Sequence, residues 1–306
     1  MKFIDTFLKR ALAVLIVFVL GTSCVSTDQT PTGETDMATN EVQGQYVNVN
    51  GLKMYYEIHG EGQPLVLLHG AFSAIGTSFG KLLPELAKSR QVIAFELQGH
   101  GHTADIDRPL NYEQMADDTV AALQQLGIKQ ADFFGYSMGS TVALQVAIRH
   151  PEVVRKLVFA SVSYKLDGVH PGLMDGLAQM TPDMMVGSPW HEEYKQIAPN
   201  PDDFDTLFTK VIQMDQELED IPDEVIAAIK SPALLIIGDS DIIRPEHAVE
   251  MFRLFGGGIM GDTPAGLPNS QLAILPGTSH VTLVDRADLL LPIIPPFLDA
   301  PMPEGK

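Results

Sequence analysis

Short apolar runs alternating with amphipathic stretches from residue 46 onward predict an α/β fold built on a mostly parallel sheet. Two further observations point the same way. The apolar runs lack the in-and-out alternation of a strand with one wet face, as expected of strands buried on both faces. One long stretch, residues 163–230, shows no strand pattern and interrupts an otherwise regular succession, which reads as a helical lid inserted before the last two strands.

The elements follow in order. Residues 46–59 open the body: YVNV and KMYYEI flank Asn50-Gly51, a dipeptide suited to the positive φ angles of a tight hairpin. Strand candidates then cover residues 65–68 (LVLL), 91–97 (QVIAFEL), 131–135 (ADFFG), 156–162 (KLVFASV), 233–237 (ALLII) and 272–275 (LAIL). The clearest helix spans residues 111–126: Asn111 can cap it, Met115, Thr119, Ala122, Leu123 and Leu126 recur at helical spacing, and Gly127 ends it. A second helix covers residues 141–150 and is stopped by Pro151. The lid holds several prolines, five methionines, the single Trp190, and 14 acids against four bases. Pro292, Pro295 and Pro296 break the apolar C-terminal run of residues 281–298, which reads as a packed helix and tail. The core is therefore assigned to residues 46–162 and 231–300, with no internal repeat.

Composition excludes several classes. With 306 residues, 45% apolar and 19% charged, the chain is neither disordered nor a coiled coil nor a repeat array. A net charge of −19 repels phosphate backbones, so nucleic acid is an unsuitable partner. The single cysteine, Cys24, rules out an intramolecular disulfide framework and any multi-cysteine metal site. No His, Asp or Glu cluster has metal-ligand spacing, and neither metal nor cofactor is expected.

Residues 1–24 read as an export signal. Lys2, Lys9 and Arg10 precede an uncharged run of ten, residues 11–20, too short to span a bilayer comfortably. The end of this segment, Leu20-Gly21-Thr22-Ser23-Cys24, resembles the bacterial lipoprotein signal, in which the cysteine becomes lipid-modified; Gly21 stands where such signals prefer Leu. The resemblance implies lipid attachment at Cys24 and a membrane-anchored protein of the bacterial cell envelope. The alternative is an ordinary secretory signal with Cys24 incidental. Two or more acyl chains would hold the protein stably. Residues 25–45, rich in Thr, Ser and acids, form a flexible tether.

Gly135-Tyr136-Ser137-Met138-Gly139 is a G-x-S-x-G sequence between a strand candidate and a helix candidate, the context of a sharp nucleophile turn. Glycines are needed on both sides because side chains there would strike the neighbouring strand and helix. The turn also points the hydroxyl at a helix N-terminus, where free N–H groups favour negative charge.

With these residues in view, residues 46–298 resemble the α/β-hydrolase superfamily. The resemblance implies an eight-stranded sheet and further site residues. Gly238-Asp239-Ser240-Asp241 with Pro245 is similar to the family's G-x-x-D-x-x-x-P acid loop, making Asp241 the acid, with Asp239 its rival. Pro276-Gly277-Thr278-Ser279-His280 follows the last strand, where the family places its histidine. Ser137, Asp241 and His280 occur in the family's chain order. His69-Gly70-Ala71-Phe72 is similar to the loop that supplies one oxyanion donor, which implies the backbone N–H groups of Ala71 and Met138, with Phe72 the second choice to Ala71. The stretch from Glu96 to Thr103 is similar to the structural D-x-x-G-H-G-x-S segment, with Glu and Thr replacing Asp and Ser.

The chemistry follows from the residue types. A serine hydroxyl is a poor nucleophile until a base takes its proton. Histidine titrates near neutrality and suits that role, and a buried carboxylate would fix its tautomer. The expected function is a serine hydrolase cleaving carboxylic esters with small or medium, mostly apolar acyl groups through an acyl-enzyme. Perhydrolase, lactonase, thioesterase and carbon–carbon bond hydrolase activities stay open on the same trio, as does a non-catalytic, lipid-tethered binding protein. Serine at position 137 argues against haloalkane dehalogenases and epoxide hydrolases, which use Asp there. The lid methionines with Phe204, Phe208 and Trp190 either line an acyl pocket or pack the lid on the body. His69 and His100 are expected to support loops.

Overall fold

The computed structural model describes residues 44–264 and 266–303. The export-signal residues, Cys24 and nearly all of the tether lie outside them. Eight strands form one sheet: β1 (Gln45–Val49), β2 (Leu52–His59), β3 (Gln63–Leu68), β4 (Arg90–Glu96), β5 (Ala131–Tyr136), β6 (Val154–Ala160), β7 (Ala233–Ser240) and β8 (Gln271–Ser279). Their order is β1-β2-β4-β3-β5-β6-β7-β8. β2 runs antiparallel to both neighbours, and every pairing from β4 to β8 is parallel. Asn50 (φ +48°) and Gly51 (φ +84°) make the β1–β2 turn, as their residue types require.

The unbroken apolar runs are explained by two cores, one on each face of the sheet. Val66, Leu68 and Phe133 point into one core, while Leu65, Leu67 and Phe134 point into the other. The first face is covered by α3 (Tyr112–Gln125) and α4 (Met138–Arg149), after α1 (Ile75–Phe79) and α2 (Leu83–Leu86) have been laid on the second. The side chain of Asn111 caps α3 by accepting from Gln114 N–H at 3.0 Å, and Gly127 follows its end at φ +74°.

The stretch between β6 and β7 is helical, with α5 (Leu173–Leu177), α6 (Pro189–Ile197), α7 (Phe204–Gln216) and α8 (Asp223–Ala228). After β7 come α9 (Pro245–Leu254), then β8, α10 (Ala287–Leu290) and α11 (Ile294–Asp299). Several sequence boundaries need correction: β6 lies two residues earlier than residues 156–162, β7 runs three residues past 237, and two further shifts fall beside the site. α4 starts at Met138, not at residue 141, because the strand-to-helix turn is completed within Ser137 and tertiary packing overrides the weak helix propensity of Gly139 and Ser140. β8 continues past residue 275 through Pro276 and Gly277, where an irregular register with β7 accommodates them. Among the described residues no helix is long and apolar enough to cross a membrane.

Candidate active site

β5 ends at Tyr136 and α4 begins at Met138, so the whole reversal falls on Ser137, held at φ +52°, ψ −118°. A non-glycine residue there is strained by about 1–3 kcal/mol. The strain has a steric cause in the flanking glycines. A Cβ on Gly135 would lie 2.3 Å from Gly139 O, and one on Gly139 would lie 2.0 Å from Leu68 O. Serine at a helix N-cap ordinarily folds its hydroxyl back onto the first-turn N–H groups. Ser137 makes no such side-chain bond; its carbonyl accepts from Ser140 N–H (2.8 Å) and Thr141 N–H (3.2 Å), which leaves the hydroxyl available.

That hydroxyl meets His280. Ser137 Oγ lies 2.9 Å from His280 Nε2, and His280 Nδ1 lies 2.8 Å from Asp241 Oδ1. An acceptor carboxylate on one side assigns the proton to Nδ1, so Nε2 accepts from the serine. Asp241 is 4% exposed. Burial pushes its carboxyl upward, but hydrogen bonds from His280, Ser161 Oγ and Gly238 N–H, together with electrostatic attraction to the imidazole, hold it below the ordinary carboxylate value. Residues 143 positions apart thus converge because β5, β7 and β8 all end at the same rim of a parallel sheet.

Asp239, the rival acid, points elsewhere. Its carboxylate accepts from Gly277 N–H (2.9 Å) and Thr278 N–H (3.1 Å), and those bonds lower its pKa. It braces the chain that leads into His280. Two contacts of the site carry no sequence motif. Tyr136, the variable residue before the serine, donates its hydroxyl to His280 O at 2.9 Å. Ser161, at φ +60° just after β6, donates to Asp241.

The loop from His69 to Ala74 lies opposite. His69 Nδ1 donates to Gly70 O (2.8 Å) while its Nε2 accepts from Leu97 N–H (3.0 Å), and burial drives its pKa down to about 3. His100, also buried, donates from Nδ1 to Gln98 O and is lowered to about 4. Both are neutral loop supports. Among the described residues, no protein acceptor takes the N–H of Ala71, Phe72 or Met138. The Met138 N–H opens α4, where the helix dipole favours a developing anion. The Glu and Thr that depart from the family's structural stretch fit their places: Glu96 accepts from His102, and Thr103 Oγ1 donates to Glu96 O and accepts from Tyr55 N–H.

The helical insertion touches this loop directly. Phe72 (φ +62°) stacks on Phe208 with centroids 5.4 Å apart and lies 6.4 Å from Phe204. Both lid phenylalanines are buried, so they pack the lid on the body. Met174 and Met214 instead face a cavity of about 440 Å³ running along α4 beside Thr141 and Gln145; neither Ser137 nor His280 lines it.

Comparison with known proteins supports the fold. Residues 63–204 match the family model described as the alpha/beta hydrolase fold. That match covers a little under half of the chain and, with the strand order above, supports the α/β-hydrolase fold. The chain is 37% identical over 129 residues to 2-hydroxymuconate semialdehyde hydrolase of Pseudomonas sp. (strain CF600), a match covering 40% of the chain and 46% of that enzyme, so it spans about half of its relative's length. It is 27% identical over 276 residues to the uncharacterized hydrolase YugF of Bacillus subtilis (strain 168), covering 82% and 96% of the two chains. The meta-cleavage product hydrolase from Pseudomonas fluorescens IP01 superposes with a TM-score of 0.65 at 19% identity over 84% of this chain and 97% of that one, a likeness of fold. Among the described residues, no group of three or more His, Cys, Asp or Glu could hold a metal ion.

Proposed function

We propose that this hydrolase cleaves carboxylic esters through an acyl-enzyme on Ser137, with His280 as general base and Asp241 as its orienting acid. The observation that carries the reading is the single imidazole bridging Ser137 Oγ at 2.9 Å and Asp241 Oδ1 at 2.8 Å. In the first step the Ser137 proton passes to His280 Nε2 as Oγ attacks the ester carbonyl. The resulting oxyanion is held by the N–H of Met138 and that of Ala71, worth about 10²- to 10³-fold per donor. His280 then protonates the leaving alcohol, and water, activated by the same nitrogen, releases the acid and restores Ser137.

The acyl group is proposed to be uncharged and mostly apolar. The lid residues 163–230 contain no arginine. Of their four lysines, Lys165 pairs with Asp223 and Glu250, and Lys210 with Asp105 and the carbonyls of Ile106 and Arg108. Lys195 and Lys230 are exposed, so an anionic acyl chain gains little from the four. Similarity to the 2-hydroxymuconate semialdehyde hydrolase favours a second reading, carbon–carbon bond hydrolysis on the same trio. A panel of p-nitrophenyl esters, lactones, thioesters and a dienoate ring-cleavage product separates the two. The ester reading requires the highest kcat/KM on short or medium esters, lost in Ser137→Ala; preference for the dienoate would replace it. Membrane attachment through Cys24 is part of the same proposal. Wild type should enter the detergent phase and Cys24→Ala the aqueous phase; equal partitioning into water would refute it.

A further inference from the structure

The loop that carries Ala71 runs straight into α1, a helix whose N-cap position is Ala74, a residue with no side-chain acceptor. Thr77 Oγ1 supplies part of the cap by accepting from Ala74 N–H (3.1 Å), and the rest comes from the lid. Glu193, in the middle of α6, accepts from Ala74 N–H (3.2 Å) and Thr77 Oγ1 (2.5 Å) with one carboxylate oxygen and from Thr77 N–H (3.0 Å) with the other. Residue 76 leaves room for it: a Cβ there would lie 2.5 Å from Glu193 Oε1, so the glycine is what admits the carboxylate. The same loop bears the lid at a second point, where Phe72 stacks on Phe208. Within the loop and α1 it is tied by Ser73 Oγ to Gly70 O (2.7 Å) and by Gly70 N–H to Ser78 Oγ (3.2 Å).

We propose that Glu193 is a positioning residue of the catalytic centre: its carboxylate caps α1 in trans and thereby fixes the Ala71 N–H for the oxyanion, so the hole is complete only with the lid docked. This rests on the ester-hydrolase reading above. A donor displaced by even about 1 Å loses most of its value in the transition state while contributing little to ground-state binding.

The test is steady-state and burst kinetics on p-nitrophenyl butyrate for wild type, Ser137→Ala, Glu193→Ala, Glu193→Gln and Gly76→Ala, each run well below its own unfolding temperature. The expected result is a kcat reduced about 10- to 100-fold in Glu193→Ala with KM within about twofold. Glu193→Gln, which keeps one acceptor oxygen and can donate to Thr77 Oγ1, should recover most of that loss. Gly76→Ala, which displaces the carboxylate without removing it, should reproduce the fall and gives the answer independently if Glu193→Ala does not fold. A kcat within twofold of wild type in Glu193→Ala and Gly76→Ala, whatever their melting temperatures, would reduce Glu193 to a structural lid contact and overturn the proposal. A raised KM at unchanged kcat would also overturn it. Turnover in wild type that survives in Ser137→Ala would overturn the parent reading and this one together.

Discussion

The backbone strain at Ser137 is kept because both flanking positions are sterically closed to a side chain. Gly139→Ala, with its Cβ 2.0 Å from Leu68 O, should cost about 3 kcal/mol or more, read as a fall in urea midpoint or loss of soluble protein. Ser161 works one contact further out. Its hydroxyl occupies the Asp241 oxygen that His280 does not use, so Ser161→Ala should lower kcat about tenfold at unchanged fold, and an unaltered kcat would remove it from the site. Ser137 was legible in the sequence because strand, glycine, serine, glycine and helix appear together. Ser161 and Tyr136 were not. A serine after a strand and the variable residue of a motif carry no periodicity, and their contacts exist only once β5, β6, β7 and β8 are side by side.

At the level of elements, the sheet rim does the assembling. The strands were legible because burial on both faces forces continuous apolar runs, and β1–β2 because Asn50-Gly51 suits only a narrow set of turns. The start of α4 and the end of β8 differ from the sequence expectation because local propensity is overruled there by packing and by Asp239. Asp239 accepts from Gly277 and Thr278, two and three residues before His280. Asp239→Ala should loosen that segment and lower kcat about three- to tenfold while leaving Ser137→Ala the more damaging change; kcat at wild-type level would show that the β7–β8 register alone holds His280. Glu193 was invisible for a different reason. It is one of 14 acids in the lid, and nothing in local sequence marks the one that reaches a helix 116 residues away.

At the scale of the molecule, stability should respond to acid through His69 and His100. Their folded pKa values of about 3 and about 4 lie below the ordinary value of 6.5, so the fold favours the neutral form. The stability they contribute is present in full above pH 6.5 and is lost as the pH falls below it, by about 1.4 kcal/mol per unit for each ring, until the loss is complete at about 4 for His100 and about 3 for His69. Urea unfolding at pH 7, 6 and 5 should show this slope, and His100→Asn should lower it by one proton. At the opposite end of the sheet, Lys156 is 1% exposed and donates to the carbonyls of Phe297, Leu298 and Ala300, fastening α11. Lys156→Met should destabilise by about 2–3 kcal/mol and leave the kcat of the remaining folded protein unchanged.

The central claim is that an acyl group is transferred to one hydroxyl, and mass measurement of the intact chain reads it directly. After rapid mixing with p-nitrophenyl acetate and acid quench, wild type should carry one acetyl per chain, mapped to Ser137, and Ser137→Ala none. An ester-hydrolysing wild type with no acetyl on Ser137, or equal labelling in both chains, would contradict it.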